Sequence, residues 1–240
     1  MSISASSEDR GQWGSKLGFI MAAAGSAVGL GNIWRFPYVT GENGGAAFVL
    51  VYLACVFLIG VPLLYVELAL GRASGRNPVG AFQKTKPGTS FVVTGILCLM
   101  ACFFVLTYYG VIAGWTISFA WGQATQNALV FEDYIANPAS VLPVFAGFIA
   151  LTIWIVSAGV EKGIEKWSKI LMPLLFVLML VIIGRSLTLE GASKGISYYL
   201  NPDFSKIDGK VVLMALGQAF FSLSVGWGLM ITYGSYMPKS

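Results

Sequence analysis

The residues of this chain best placed to do chemistry offer mostly backbone. In "GSAVGLGNIWRFP", Gly25 to Pro37, three glycines and an asparagine stand inside an otherwise apolar run. A glycine in a helix interior costs about 1 kcal/mol against alanine, so the run disfavours an unbroken helix. A second run, "GQAFFSLSVGWG" (Gly217 to Gly228), repeats the signature with serine, glutamine and glycine at mid-segment. Carbonyl oxygens freed by an unwound turn are hard ligands for an alkali cation. The amides at the start of a half-helix suit a carboxylate. Gly25, Gly29 and Gly31 taken alone also fit close helix packing; the second run favours the broken-helix account.

The elements that must position these groups follow from composition. Of 240 residues 56% are hydrophobic and 11% charged, too little polar material to cover a water-soluble domain. A spanning helix needs about 20 apolar residues. Runs of that kind are Leu17–Tyr38, Ala46–Leu70, Phe91–Trp121, Tyr134–Val160, Trp167–Gly184 and Val211–Met237, which predicts six spans with the first and sixth interrupted. Inside hydrocarbon, irregular backbone survives only when buried in protein or lining a wet cavity. Two broken spans separated by four continuous ones is the pattern of two inverted repeats. The N-terminal "MSISASSEDRGQWGSK" lacks the features of a cleaved secretory signal, so the first span is expected to be retained. Lys and Arg counted on alternate sides divide ten to five, which places both termini in the cytoplasm of a multi-pass protein.

Several classes are disfavoured. The net charge of +4 comes from basic residues in short loops at span ends, where topology accounts for them, so nucleic acid is not an expected partner. Cys55, Cys98 and Cys102 lie in apolar runs and read as small packing residues rather than a disulfide framework. With no histidine and no cluster of cysteines or carboxylates, a zinc or copper site has nothing to be built from. No phosphate loop, nucleophile–base pair or cofactor motif occurs, and an enzyme is not expected.

The segments "WGSKLGFIMAAAGSAVGLGNIWRFPYVTGENGGAAFVLVYL", "IGVPLLYVELALGR", "TYYGVIAGW" and "GQAFFSLSVGWG" closely resemble the neurotransmitter:sodium symporter family, in particular its bacterial amino-acid transporters. The resemblance runs from about Trp13 to the end of the chain. It implies an all-α integral membrane protein with the leucine-transporter-like fold. The chain would hold the first five-helix repeat and the first helix of the second. Residues 1–15 would be a cytoplasmic segment, 16–186 the repeat, 187–210 an extracellular loop, and 211–240 the broken sixth helix, truncated relative to the family.

The resemblance also assigns roles. One sodium would be held by Ala27, Asn32 and Ser222, together with the substrate carboxylate; a second would take carbonyls at Gly25 and Val28. Asn32 also suits a helix cap. The substrate amine would meet carbonyls near Ala27 and Phe221 and the Ser224 hydroxyl. Its carboxylate would meet the amides of Leu30 and Gly31 and the Tyr109 phenol. Val105, Phe221 and Trp227 would wall the side chain. Gly29 stands where monoamine carriers of the family place Asp, so it indicates a zwitterionic, neutral amino acid. The bulk of Trp227 suggests a cramped pocket for a small one, while a flipped indole would equally line a pocket for a larger one.

Arg35 and Arg10 resemble the extracellular and cytoplasmic gating arginines; the plainer accounts are interfacial snorkelling for Arg35 and topogenic charge for Arg10. Glu67, the one acid inside an apolar run, must be paired, hydrogen-bonded or protonated; with Gln218 it is expected to brace the unwound sixth helix, direct proton coupling being the sharper alternative. Tyr52, Gln218 and Ser222 resemble three members of the family's chloride site, and chloride dependence stays open. Sodium is the implied coupling ion, without an organic cofactor. The implied activity is sodium-coupled symport in the plasma membrane, with a neutral amino acid, sodium and the bilayer as partners. A non-transporting membrane partner, or a half-sized subunit completed by a second polypeptide, are the alternatives.

Overall fold

A computed structural model describes residues 11–238 of the chain. The described residues form helices and connections without a strand, the arrangement by which an apolar chain satisfies its backbone in lipid. Helix α1 (Lys16–Ala27) starts at Ser15, whose hydroxyl accepts from the Gly18 N–H at 3.0 Å. It stops at Ala27. Beyond Val28–Leu30 a π-helical turn, Gly31–Arg35, leads without a break into α2 (Phe36–Glu42), and Pro37, which has no N–H to donate, follows directly on the π turn. The two halves are bent by 49°.

Helices α3 (Ala46–Cys55) and α4 (Val61–Ser74) form one rod of 29 residues through a π turn at Val56–Gly60. Helix α5 (Pro78–Thr85) begins at Asn77, which accepts from Gly80 N–H at 2.8 Å. Helix α6 (Phe91–Ala124) is the longest. Helix α7 (Phe131–Ile135) is a single turn, and α8 (Pro138–Ser157) is capped by Asn137. A further π turn, Val160–Glu165, opens α9 (Lys166–Leu187). Helix α10 (Ala192–Leu200) lies in the connection to α11 (Gly209–Leu223), which is capped by Asp208. Residues 224–228 separate α11 from α12 (Leu229–Gly234).

The number of spanning helices differs from the six runs in the sequence. Among the described residues four helices are long and apolar enough to cross a bilayer, or five with the bent pair Lys16–Ala27 and Gly31–Glu42 taken as one span. The last run contributes a 15-residue helix and a six-residue one, neither of spanning length. Two boundaries also move. Tyr134 belongs to α7, so the fourth long helix starts at Pro138, and the fifth starts at Val160 rather than Trp167 because the π turn prolongs it.

Packing brings the interrupted elements together. Helix α11 lies on α3, where Ala215 and Ala219 are fully buried against a cluster containing Phe48 and Cys55; small side chains permit that close approach. Helix α12 lies on α4, α1 on α9, and α6 between α5 and α8. Large apolar side chains such as Phe57, Leu58, Phe176 and Val181 are turned outward, as lipid-facing surface requires.

Candidate functional site

At the break after α1 the Val28 N–H still reaches the Ala24 carbonyl and the Ile33 N–H the Gly29 carbonyl, and side chains hold the gap between these turns. Asn32 Nδ2 donates to the Ala27 carbonyl, spanning the gap, while its Oδ1 accepts from Ser222 Oγ at 2.6 Å and from Gln218 Nε2 at 3.3 Å. Gln218 Nε2 also reaches Ser222 Oγ at 3.3 Å. The other end of that amide accepts from Arg35 Nη1 at 3.1 Å, and the guanidinium lies 5.9 Å from the Phe221 ring centre. Gln218 is 1% exposed and Ser222 6%, so the arrangement is costly to leave unpaired and its members fix one another. Ala27, Asn32 and Ser222 are thus adjacent, with Arg35 one residue further out.

The break after α11 has a different local cause. Ser224 sits in the left-handed region at φ 54°, ending the helix, and its hydroxyl donates to the Ser26 carbonyl at 2.9 Å. Gly226 and Gly228 follow at φ 86° and 71°, conformations that side chains other than glycine adopt only with strain. Glu67 Oε1 accepts from the Gly226 N–H at 2.6 Å, and its Oε2 is buried without a hydrogen bond among the described residues. A carboxylate on α4 therefore holds one of the amides that the break exposes. The two breaks also touch: the Phe221 ring packs on Gly31 where a Cβ would stand.

Between them lies a cavity of about 350 Å³. Ser26, Ala27 and Gly29 form one side, Val105 and Tyr109 of α6 another, and Phe221, Ser224 and Trp227 a third. The Phe221 ring stands 5.5 Å from Trp227 and 6.0 Å from Tyr109, centre to centre. The Tyr109 phenol lies beside the Gly31 amide. Cys102, Leu106 and Leu229 complete the lining. The sequence suggested Cys102 only as a packing residue and did not single out Leu106 or Leu229; the spacing of Cys102, Leu106 and Tyr109 on one helical stripe was the available signal. The Trp227 indole stands edge-on to Phe221 and forms one wall of the cavity.

Other residues singled out lie elsewhere. Gly25 and Val28 face a separate crevice against Leu171, Met172 and Leu175 of α9. Tyr52 stacks at 4.8 Å on Phe36 beside the α3–α11 core, without a hydrogen bond to Gln218 or Ser222. Leu30 opens the π turn. Arg10 lies outside the described residues.

A polar cluster that sequence reading missed pins the start of α1. Glu165 is 2% exposed; its carboxylate accepts from Gly14 N–H at 2.7 Å, Ser15 Oγ at 2.8 Å and Lys169 Nζ at 2.6 Å. Trp13 donates its indole N–H to the Tyr233 carbonyl at 3.0 Å. The i,i+4 spacing of Glu165 and Lys169 was legible, but nothing in the sequence pointed to Gly14 and Ser15.

Helices interrupted at a shared cavity, set among long apolar helices, define a multi-pass membrane protein of the leucine-transporter-like fold. The chain belongs to the Sodium:neurotransmitter symporter family, whose sequence pattern matches residues 10–133 and 125–240. It is 44% identical over 238 residues to the uncharacterized sodium-dependent transporter YhdH of Bacillus subtilis, covering 95% of this chain and 53% of that protein. It is 31% identical over 273 residues to the sodium-dependent neutral amino acid transporter B(0)AT2 of Rattus norvegicus, covering 97% of this chain and 37% of that one. The crystal structure of MhsT in complex with L-phenylalanine matches with a TM-score of 0.89 at 50% identity, over 96% of this chain and 54% of MhsT. The chain thus spans about half the length of the transporter YhdH and of MhsT, and about a third of the rat protein.

Proposed function

We propose that the chain forms the N-terminal part of a sodium-coupled symporter for a neutral amino acid, which exposes its cavity to the two sides of the plasma membrane in turn and performs no covalent chemistry. One observation carries this reading: the interrupted backbones at Ala27–Gly31 and Ser224–Gly228 meet α6 around a single cavity of about 350 Å³, at the small end of ligand pockets. Sodium would sit between the Ala27 carbonyl, Asn32 and Ser222, where a hard cation would replace the present hydrogen bonds. A second sodium would lie by Gly25 and Val28.

The substrate carboxylate would reach the sodium, the Leu30 and Gly31 amides and the Tyr109 phenol. Its amine would turn to the Ala27 and Phe221 carbonyls and to Ser224. The side chain would lie among Val105, Phe221 and Trp227. That wall is broad and aromatic, which suits a bulky apolar side chain better than a small one; the phenylalanine named with MhsT is consistent with this. Arg35 and Arg10 would serve as the two gating arginines. Gln218, Ser222 and Tyr52 are the chain's contribution to any chloride site. Both ends of the chain would be cytoplasmic, as the distribution of Lys and Arg favours.

The test is uptake of radiolabelled L-phenylalanine by proteoliposomes carrying the protein from its complete reading frame. Accumulation driven by an inward sodium gradient, lost when choline replaces sodium, supports the reading. Equal uptake in both buffers, or none with any neutral amino acid, overturns it.

A further inference from the structure

The unwound turn after α11 leaves carbonyls as well as amides without helical partners, and two of them meet thiols. Cys98 Sγ donates to the Gly226 carbonyl at 3.4 Å, and Cys102 Sγ donates to the Trp227 carbonyl at 3.5 Å. Both cysteines stand on α6 four residues apart, hence on one helix face. With Glu67 on the Gly226 N–H, the peptide groups flanking this glycine are held from α4 on one side and α6 on the other. The packing leaves little play. A Cβ at Gly228 would stand 3.0 Å from Cys98 Cβ and 2.9 Å from Pro78 Cβ.

We propose that Cys98 and Cys102 are positioning residues of the transport site: their S–H groups hold the Gly226 and Trp227 carbonyls and so fix the Trp227 indole as a wall of the cavity. This rests on the transport reading. The argument is one of donors. A carbonyl released from a helix at membrane depth needs a partner, and the described structure supplies these two from α6 rather than from α11 or α12. Cys102 also lines the cavity, so a bound side chain touches the group that orients its neighbour. A thiol is a weak donor. It satisfies the carbonyl yet releases it at small cost, which suits a turn that must shift as the cavity changes the side it faces.

The experiment has two arms on the protein from its complete reading frame. Infrared spectra of the purified protein, with Cys98→Ala and Cys102→Ala assigning the bands, read the S–H stretch directly. Both bands are expected below the position of an unbonded thiol; bands at that position overturn the proposal. In proteoliposomes Cys102→Ala is expected to raise the KM for phenylalanine about two- to threefold, the low end for one net hydrogen bond as a weak donor gives, with kcat little changed. Cys102→Ser, which keeps a donor, is expected to restore KM and to lower kcat. Ala and Ser variants that behave alike overturn the proposal, since packing alone would then account for the residue. Absence of uptake by the unaltered protein would remove the transport reading, and the S–H bands would still decide whether the thiols hold the turn.

Discussion

Gly29 faces open space: a Cβ built there meets nothing within 4 Å, and the residue lines the cavity. Its backbone tolerates a side chain, so the effect of a substitution is chemical rather than steric. Gly29→Asp would put a carboxylate where the substrate's own is proposed to lie. Phenylalanine uptake is expected to fall at least about tenfold, an energetic difference of roughly 1.4 kcal/mol, while phenethylamine, which lacks the carboxylate, becomes a competitor. Competition assays read both. Loss of uptake without any gain in amine binding would count against the proposed pose. At Ser222 the hydroxyl supplies the 2.6 Å bond to Asn32 Oδ1. Ser222→Ala removes a proposed sodium ligand together with that bond. The sodium concentration for half-maximal uptake should rise about tenfold, within the range for one lost polar contact in a buried site. A sodium titration that does not shift would exclude Ser222 from the ion's shell.

At the scale of elements, glycine and serine in apolar runs marked where α1 and α11 stop, because their cost in a helix is intrinsic and local. The π turns at Val56–Gly60 and Val160–Glu165 were not legible, since the apolar pattern runs through the first without change and tertiary packing decides between the two ladders. Glu165 was hidden for another reason. Among Lys162, Lys166 and Lys169 it reads as one member of a solvated charge cluster, and the partners that bury it, Gly14 and Ser15, lie some 150 residues away. Glu67 could be singled out because an acid in an apolar run stands alone; its contact with Gly226 could not. This contact makes a prediction about the element it holds. Glu67→Gln keeps an oxygen for the Gly226 N–H and should retain sodium-dependent uptake with an unchanged pH profile. Glu67→Leu takes away the acceptor of the Gly226 N–H and should lower both the unfolding temperature and uptake. If the Gln variant were as inactive as the Leu variant, the carboxylate would be needed for its charge or proton rather than as a brace.

Across the whole molecule, the start of α1 is tied on two sides, by Glu165 and Lys169 at the head of α9 and by the Trp13 indole on the Tyr233 carbonyl at the end of α12. Both ties lie at the same end of the molecule as Arg72 and Lys84, which close on the Pro238 and Ser74 carbonyls. The opposite end carries the 187–210 connection with α10, and Tyr198 of that helix donates to the Gly41 carbonyl at 2.7 Å. The proposed orientation puts the basic end in the cytoplasm, because Lys and Arg near span ends resist translocation. Single cysteines placed at the two ends read the orientation directly. Glu190 and Lys86 are both exposed, so Glu190→Cys should react with a membrane-impermeant maleimide on intact cells, and Lys86→Cys only after the cells are opened. The native thiols make a small background, with Cys55 and Cys98 buried and Cys102 partly so. Labelling of Lys86→Cys on intact cells would reverse the molecule in the bilayer, and with it the side from which the proposed transport cycle would load sodium and amino acid.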